Sequence, residues 1–219
     1  LTRAALATAP ARKGSLGRGC SCLLPFAGWL ISCALHAQDA PTQSDWGGAG
    51  LWQTPTARMA DEGEVGFTAS RTSPYTRYNF TLQPLSWLEG SFRYVSISNH
   101  LYGSPGLSGD QSYKDKSIDA KVRLWRESHY LPAVSVGIRD LGGTGLFSSE
   151  YVVASKRFGP IDASLGMAWG YMGNRGDVRN PFSILSDEFD TRPGRNRGEV
   201  VGNFNSHDYF RGRAALFGG

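Results

Sequence analysis

The chain has 219 residues and a formal net charge of +4, which at first suggests an acidic partner such as nucleic acid. The first 37 residues carry four basic and no acidic side chains, so the remainder holds 19 of each and is neutral. This balance excludes nucleic acid as a partner on grounds of charge. The three cysteines, at 20, 22 and 33, all lie in that first segment. No disulfide or thiol nucleophile is therefore predicted after residue 37.

Residues 1–37 have the features of a signal peptide for export. Four basic residues precede an apolar run at 23–35, which is too short to cross a bilayer as a helix. Two ways of processing remain open. Cleavage after Ala37 is one, and the other is a lipobox at Leu30-Ile31-Ser32-Cys33, in which Cys33 becomes the lipidated N-terminus.

Residues 38–63 form a Gly-rich lead-in, and residues 64–219 contain the predicted strands. Turn residues separate these strands, and two long polar connections cover 98–112 and 172–208. The seven predicted strands are 64–71, 77–83, 87–97, 117–126, 132–140, 147–158 and 161–171.

Strand 117–126 carries the strongest pattern. Its apolar residues Ile118, Val122 and Leu124 alternate with charged ones, and 161–171 repeats the alternation with less charge. Strands of about ten residues with this pattern, short turns and long loops are typical of an all-β, antiparallel transmembrane β-barrel of the outer-membrane type. Four charged side chains are then predicted to face the lumen: Asp119, Lys121, Arg123 and Arg139.

Two consequences follow from the barrel hypothesis. A change in the lumen such as Lys121→Ala should leave the amount of folded protein nearly unchanged, whereas Val122→Arg should reduce it. Seven strands are an odd number, and bacterial single-chain barrels have an even one, so we expect the domain to be truncated in this chain. A secreted β-sandwich with one buried face would give the same alternation and remains the alternative.

No motif for catalysis or cofactor binding is found. The glycines at 140–145 lack the Lys-Ser/Thr of a phosphate-binding loop and precede a strand rather than a helix. The four histidines are scattered, and no pair of carboxylates is singled out. The sequence therefore predicts a protein that is not an enzyme and that has no metal or cofactor.

Four segments resemble one known family. They are GGAGLWQTPTARM at 47–59, SYKDKSIDAK at 112–121, RDLGGTGLFSSEYVVASK at 139–156 and GMAWGY at 166–171. Residues 44–219 resemble the N-terminal part of the YjbH/GfcD family of exopolysaccharide and capsule proteins. The resemblance implies a Gram-negative outer-membrane protein or lipoprotein, rich in β-barrel structure and encoded with polysaccharide-secretion genes. It supplies no catalytic residue.

Together, the strand pattern and the resemblance predict a non-catalytic outer-membrane β-barrel component of exopolysaccharide or capsule biosynthesis and export. Its expected partners are outer-membrane lipid, a polysaccharide, and periplasmic and lipoprotein components of the same secretion system. The alternative is a periplasmic β-sandwich that binds or trims polysaccharide.

Overall fold

The computed structural model describes residues 41–193 and 206–219. Eight strands form one antiparallel sheet, in which each strand pairs with the next along the chain. The strands are β1 (Val65–Thr72), β2 (Tyr75–Leu85), β3 (Leu88–Leu101), β4 (Ser112–Trp125), β5 (Ala133–Gly143), β6 (Ser149–Phe158), β7 (Ile161–Ala168) and β8 (Ala215–Gly218). One helical turn, α1 (Pro105–Ser108), interrupts the β3–β4 connection.

The all-β antiparallel prediction is confirmed, and each of the seven predicted strands is present. The predicted number of strands, seven, was too low, because β8 has only four residues and is too short to show an alternation of polar and apolar residues. Strand β7 ends at Ala168, three residues before the predicted end. Closure into a barrel stays a prediction. The described residues contain no second sheet, so a two-sheet sandwich is not found within them.

The two faces of the sheet differ sharply in polarity. Along β4, the Ile118 side chain is 52% exposed, whereas Asp119 and Lys121 are 8% and 3% exposed. Strand β2 shows the same arrangement, since Phe80 is 48% exposed and Arg77 only 3%. The polar face is therefore the buried one, and the apolar face is open.

The segment before β1 covers the polar face. Residues 41–60, here called the N-terminal segment, contain tight turns with isolated bridges between Gln43 and Ala49 and between Gly50 and Pro55. The Ala57 amide donates to Ser155 Oγ on β6 at 2.8 Å, and Trp46 packs with Val95 and Phe147. The lead-in predicted at 38–63 thus contributes the cover of the buried face.

Strands β4 and β5 pair with an irregularity that brings several acidic groups inward. Their register changes between Ile118 and Ala120 of β4, and Asp140 opposite has a φ of 57°. The Asp140 amide donates to Asp119 Oδ1 at 2.8 Å, because it no longer takes part in the ladder. The glycine-rich stretch at 140–145 thus includes a bulge.

The long connection after β7 has its own aromatic cluster. The Trp169 ring stacks on Phe182, with ring centroids 5.4 Å apart, and meets Phe210 edge-on at 5.2 Å. Asn180 fixes the loop by donating to the carbonyls of Phe189 and Phe210 at 2.8 and 2.7 Å. Trp169 follows the last residue of β7 and is only 2% exposed, so the alternation predicted for 161–171 does not extend to it.

No helix in the described part of the chain is both long and apolar enough to cross a membrane.

The bulge provides a test of the fold. A Cβ atom at Gly143 would lie 2.5 Å from the Lys116 carbonyl oxygen, which is a backbone atom and cannot swing away. Gly143→Ala should therefore lower the free energy of unfolding by about 1–3 kcal/mol. Gly90→Ala is the matched control, since a Cβ atom there meets nothing within 4 Å. Urea unfolding followed by tryptophan fluorescence compares the two, and equal midpoints would contradict this β4–β5 register.

Candidate functional site

A buried ion pair joins the sheet to the N-terminal segment. Lys121 Nζ lies 3.0 Å from Glu89 Oε1 on the neighbouring strand β3. The same ammonium group donates to the carbonyls of Ala49 and Arg58, each at 3.0 Å. Glu89 Oε2 in turn accepts from the Ala49 amide at 2.9 Å. Both charges are thus neutralised and hydrogen-bonded, as a buried pair requires.

A tryptophan surrounded by arginines lies beside this pair. The guanidinium carbons of Arg77, Arg93 and Arg139 lie 4.7, 4.8 and 5.1 Å from the centre of the Trp46 ring. Phe147 meets the same ring edge-on at 5.1 Å. Desolvated cation–π contacts of this kind contribute up to about 2 kcal/mol each. They bring three cations from β2, β3 and β5 around one side chain.

One of the three arginines has a close carboxylate partner. Arg93 Nη1 donates to Asp119 Oδ2 on β4, and the other oxygen of Asp119 accepts from the Asp140 amide. Asp119 therefore links the arginine cluster to the β4–β5 bulge.

A second ion cluster fixes the end of the N-terminal segment. Arg58 makes two hydrogen bonds to Asp162, at 2.6 and 2.9 Å, and an ion pair with Glu127 at 2.7 Å. Partial burial would raise the pKa of Glu127, but hydrogen bonds from the Arg157 amide and from Arg58 outweigh it and lower that pKa to about 2. The carboxylate is therefore ionised at neutral pH.

The four side chains predicted to face a lumen all lie on the polar face. Asp119, Lys121 and Arg139 are buried beneath the N-terminal segment, and half-buried Arg123 donates to the Ser86 carbonyl. Whether this face lines a lumen stays a prediction. The prediction that Lys121→Ala leaves the amount of folded protein nearly unchanged conflicts with the structure, because Lys121 is buried and bonds to Glu89, Ala49 and Arg58. Cys33 lies outside the described residues.

Other charged residues of the polar face escaped the sequence analysis. Among them are Arg77, Glu89 and Arg93, which are 3%, 7% and 0% exposed. Their signal was readable, because charged and polar residues alternate with aromatic ones along 77–83 and 89–95.

A cleft of about 590 Å³ opens between the two edges of the sheet. It is bordered by the β1–β2 turn on one side and by β8 on the other. Among the described residues, its charged lining consists of Arg77, Arg139 and Arg175, with no acidic residue, and Trp46, Tyr75 and Tyr171 supply aromatic groups.

A neighbouring cavity of about 410 Å³ lies among the loops after β5 and β7. Arg192 lines it and is held by fully buried Glu150 through hydrogen bonds of 2.8 and 3.0 Å. Within residues 41–193 and 206–219, no group of three or more His, Cys, Asp or Glu side chains is placed to hold a metal ion. The described charged residues that line the cleft are all cationic, whereas the lining of the neighbouring cavity also includes Asp140 and Asp208.

Comparison with known proteins gives a consistent result. The profile of the YjbH family, described as "Exopolysaccharide biosynthesis protein YbjH", matches residues 42–219. The chain is 49% identical over 180 residues to the "Uncharacterized lipoprotein YjbH" of Escherichia coli strain K12. That alignment covers 82% of the chain but only 26% of the relative, so the chain spans about a quarter of the relative's length. No solved structure matches the chain.

The Lys121 contacts lead to a direct test. Lys121→Ala leaves Glu89 buried without its cation and removes two hydrogen bonds to the N-terminal segment. We expect the free energy of unfolding to fall by about 3–5 kcal/mol. Lys116→Ala on the same strand is the control, because that side chain is exposed and should change stability by less than about 0.5 kcal/mol. Equal urea midpoints for the two variants would contradict the buried ion pair.

Proposed function

The chain belongs to the YjbH family of exopolysaccharide biosynthesis proteins, and from this membership we propose a specific role. The protein is a non-catalytic outer-membrane β-barrel component of exopolysaccharide and capsule biosynthesis and export. The observation that carries the proposal is the inverted polarity of the sheet. Its charged face is buried beneath residues 41–60, and its apolar face is open.

Several large apolar side chains share the open face, four of them on the consecutive strands β1–β4 and one on β7. Phe67, Phe80, Phe92, Ile118 and Leu165 are 46–68% exposed. A contiguous apolar surface of this kind is rare on a soluble monomer and indicates contact with lipid or protein. Lipid fits the alternation along β2, β3 and β4, because a strand that faces hydrocarbon on one side and a hydrated interior on the other needs this period.

We also propose that the mature protein is anchored through Cys33. The E. coli relative is named a lipoprotein, which favours the lipobox over cleavage after Ala37. Metabolic labelling with a radioactive fatty acid should mark the parent protein and leave Cys33→Ser unlabelled.

The export role predicts a phenotype. Deleting the gene should lower the amount of exopolysaccharide released into the medium, and the parent gene supplied in trans should restore it. As a membrane protein it should be recovered with outer membranes and should need detergent for release, whereas a periplasmic protein without a lipid anchor would be recovered without detergent. Undiminished release of polymer from the deletion strain would contradict the proposed role.

The membrane assignment can be tested at single residues. In Ile118→Cys the thiol lies on the open apolar face, so it should react with a lipid-soluble probe in native membranes and not with a charged one. Asp110→Cys, in the exposed connection before β4, is the control and should react with the charged probe. Labelling is compared with the parent protein. Reaction of position 118 with the charged probe, or with neither probe, would exclude contact with lipid.

A further inference from the structure

The cleft between β1–β2 and β8 differs from the rest of the buried interior in its charge. Elsewhere the buried cations lie against carboxylates: Lys121 against Glu89, Arg93 against Asp119, and Arg192 against Glu150. Among the described residues, the lining of the cleft contains Arg77, Arg139 and Arg175 and no acidic side chain. Arg175 has an acidic partner outside the lining, with its Nε atom 3.4 Å from Asp177 Oδ1, but the charged groups on the walls of the cleft are all cationic.

The arginine at the floor of the cleft is poorly satisfied by the protein. Arg77 is 3% exposed, and its Nε and Nη1 atoms have no hydrogen-bond acceptor in the described part of the chain. Its nearest carboxylate is a loose one, with Nη1 3.9 Å from Asp45 Oδ2. A buried donor without an acceptor destabilises the fold, and more so when it is charged.

Arg139 shares this situation. It is 5% exposed, and its guanidinium forms no ion pair with any described residue, although it lies over the rings of Trp46 and Tyr151. Arg77 and Arg139 both lie within 5.1 Å of the centre of the Trp46 ring, and both line the cleft. Trp46 holds both guanidinium groups in place without neutralising them.

The other groups of the lining suit a sugar. Gln53, Thr54 and the two tyrosines, Tyr75 and Tyr171, offer amide and hydroxyl groups beside aromatic surface. A volume of about 590 Å³ lies within the range of small-molecule sites, roughly 300–1,000 Å³. Arginine forks match the planar geometry of a carboxylate.

We propose that this cleft binds an acidic sugar residue of a glycan, with Arg77 and Arg139 receiving its carboxylate and Arg175 attracting it at the mouth. The inference rests on the proposed role in exopolysaccharide export and adds the chemical class of the polymer. The neutral polar groups of the lining bind the sugar hydroxyls.

The test uses the full-length protein in detergent and a pair of matched probes. One probe is an oligogalacturonate, and the other is the same oligomer after reduction of its carboxylates to primary alcohols. Binding of the acidic oligomer, measured by calorimetry, should be at least about tenfold tighter than that of the reduced one, as expected for a charge-assisted hydrogen bond. The affinity should fall as salt is added.

Three variants separate binding from folding. Arg77→Gln should weaken binding of the acidic oligomer about tenfold or more and leave binding of the reduced oligomer unchanged. Arg77→Lys should retain part of the preference for the acidic oligomer. Arg175→Gln should also weaken it, and since the Arg175 side chain is 81% exposed, this variant should fold like the parent. Arg71→Gln, an exposed arginine of β1, is the control and should bind like the parent.

The outcomes are distinguishable. Equal affinity for the two oligomers, or an Arg175→Gln protein that binds like the parent, overturns the inference. Displacement of the oligomer by inorganic phosphate at similar concentration shows a general anion site and overturns the sugar assignment. Either result leaves the proposed function standing if the deletion strain still releases less polymer. If the deletion strain releases the normal amount, the proposed function fails whatever the binding data show.

Discussion

The ammonium group of Lys121 holds the sheet and the N-terminal segment in one arrangement. Lys121 is only 3% exposed, so its charge must be met by protein atoms. Glu89 supplies the opposite charge, and the carbonyls of Ala49 and Arg58 take the remaining protons. Because two of the three partners are backbone atoms of the segment, removing the segment would leave both charged side chains without enough partners. The buried polar face and residues 41–60 therefore depend on each other for their stability.

The inward charges determine what the outer face must be. Successive side chains on a strand point to opposite sides, so a strand that turns Asp119 and Lys121 inward turns Ile118 and Val122 outward. Fully burying a large apolar side chain contributes about 1.5–3 kcal/mol, and on the outer face of this sheet that contribution is not realised within the described residues. The outer apolar side chains would therefore stabilise the protein further only when lipid or a partner protein covers them.

The sequence predicts the strands well because their pattern is local. Polar and apolar residues alternate along β4, and turn residues separate the strands, so both order and face could be inferred before the structure. The N-terminal segment has no period, and its contacts with Glu89, Lys121 and Ser155 join residues 40 to 98 positions apart. No local pattern can predict such contacts. The burial of Trp169 could not be predicted for the same reason, because its partners Phe182 and Phe210 come from a distant part of the loop.

Trp46 connects the cover of the sheet with the cleft at its edge. Its ring belongs to the N-terminal segment, yet it orders Arg77 and Arg139, which line the cleft. Displacing the segment would therefore also disperse the two guanidinium groups. An anion bound between them would in turn favour the covered state, because binding to one state of an equilibrium stabilises that state. By this reasoning, the position of the N-terminal segment and the occupancy of the cleft are coupled through one aromatic side chain.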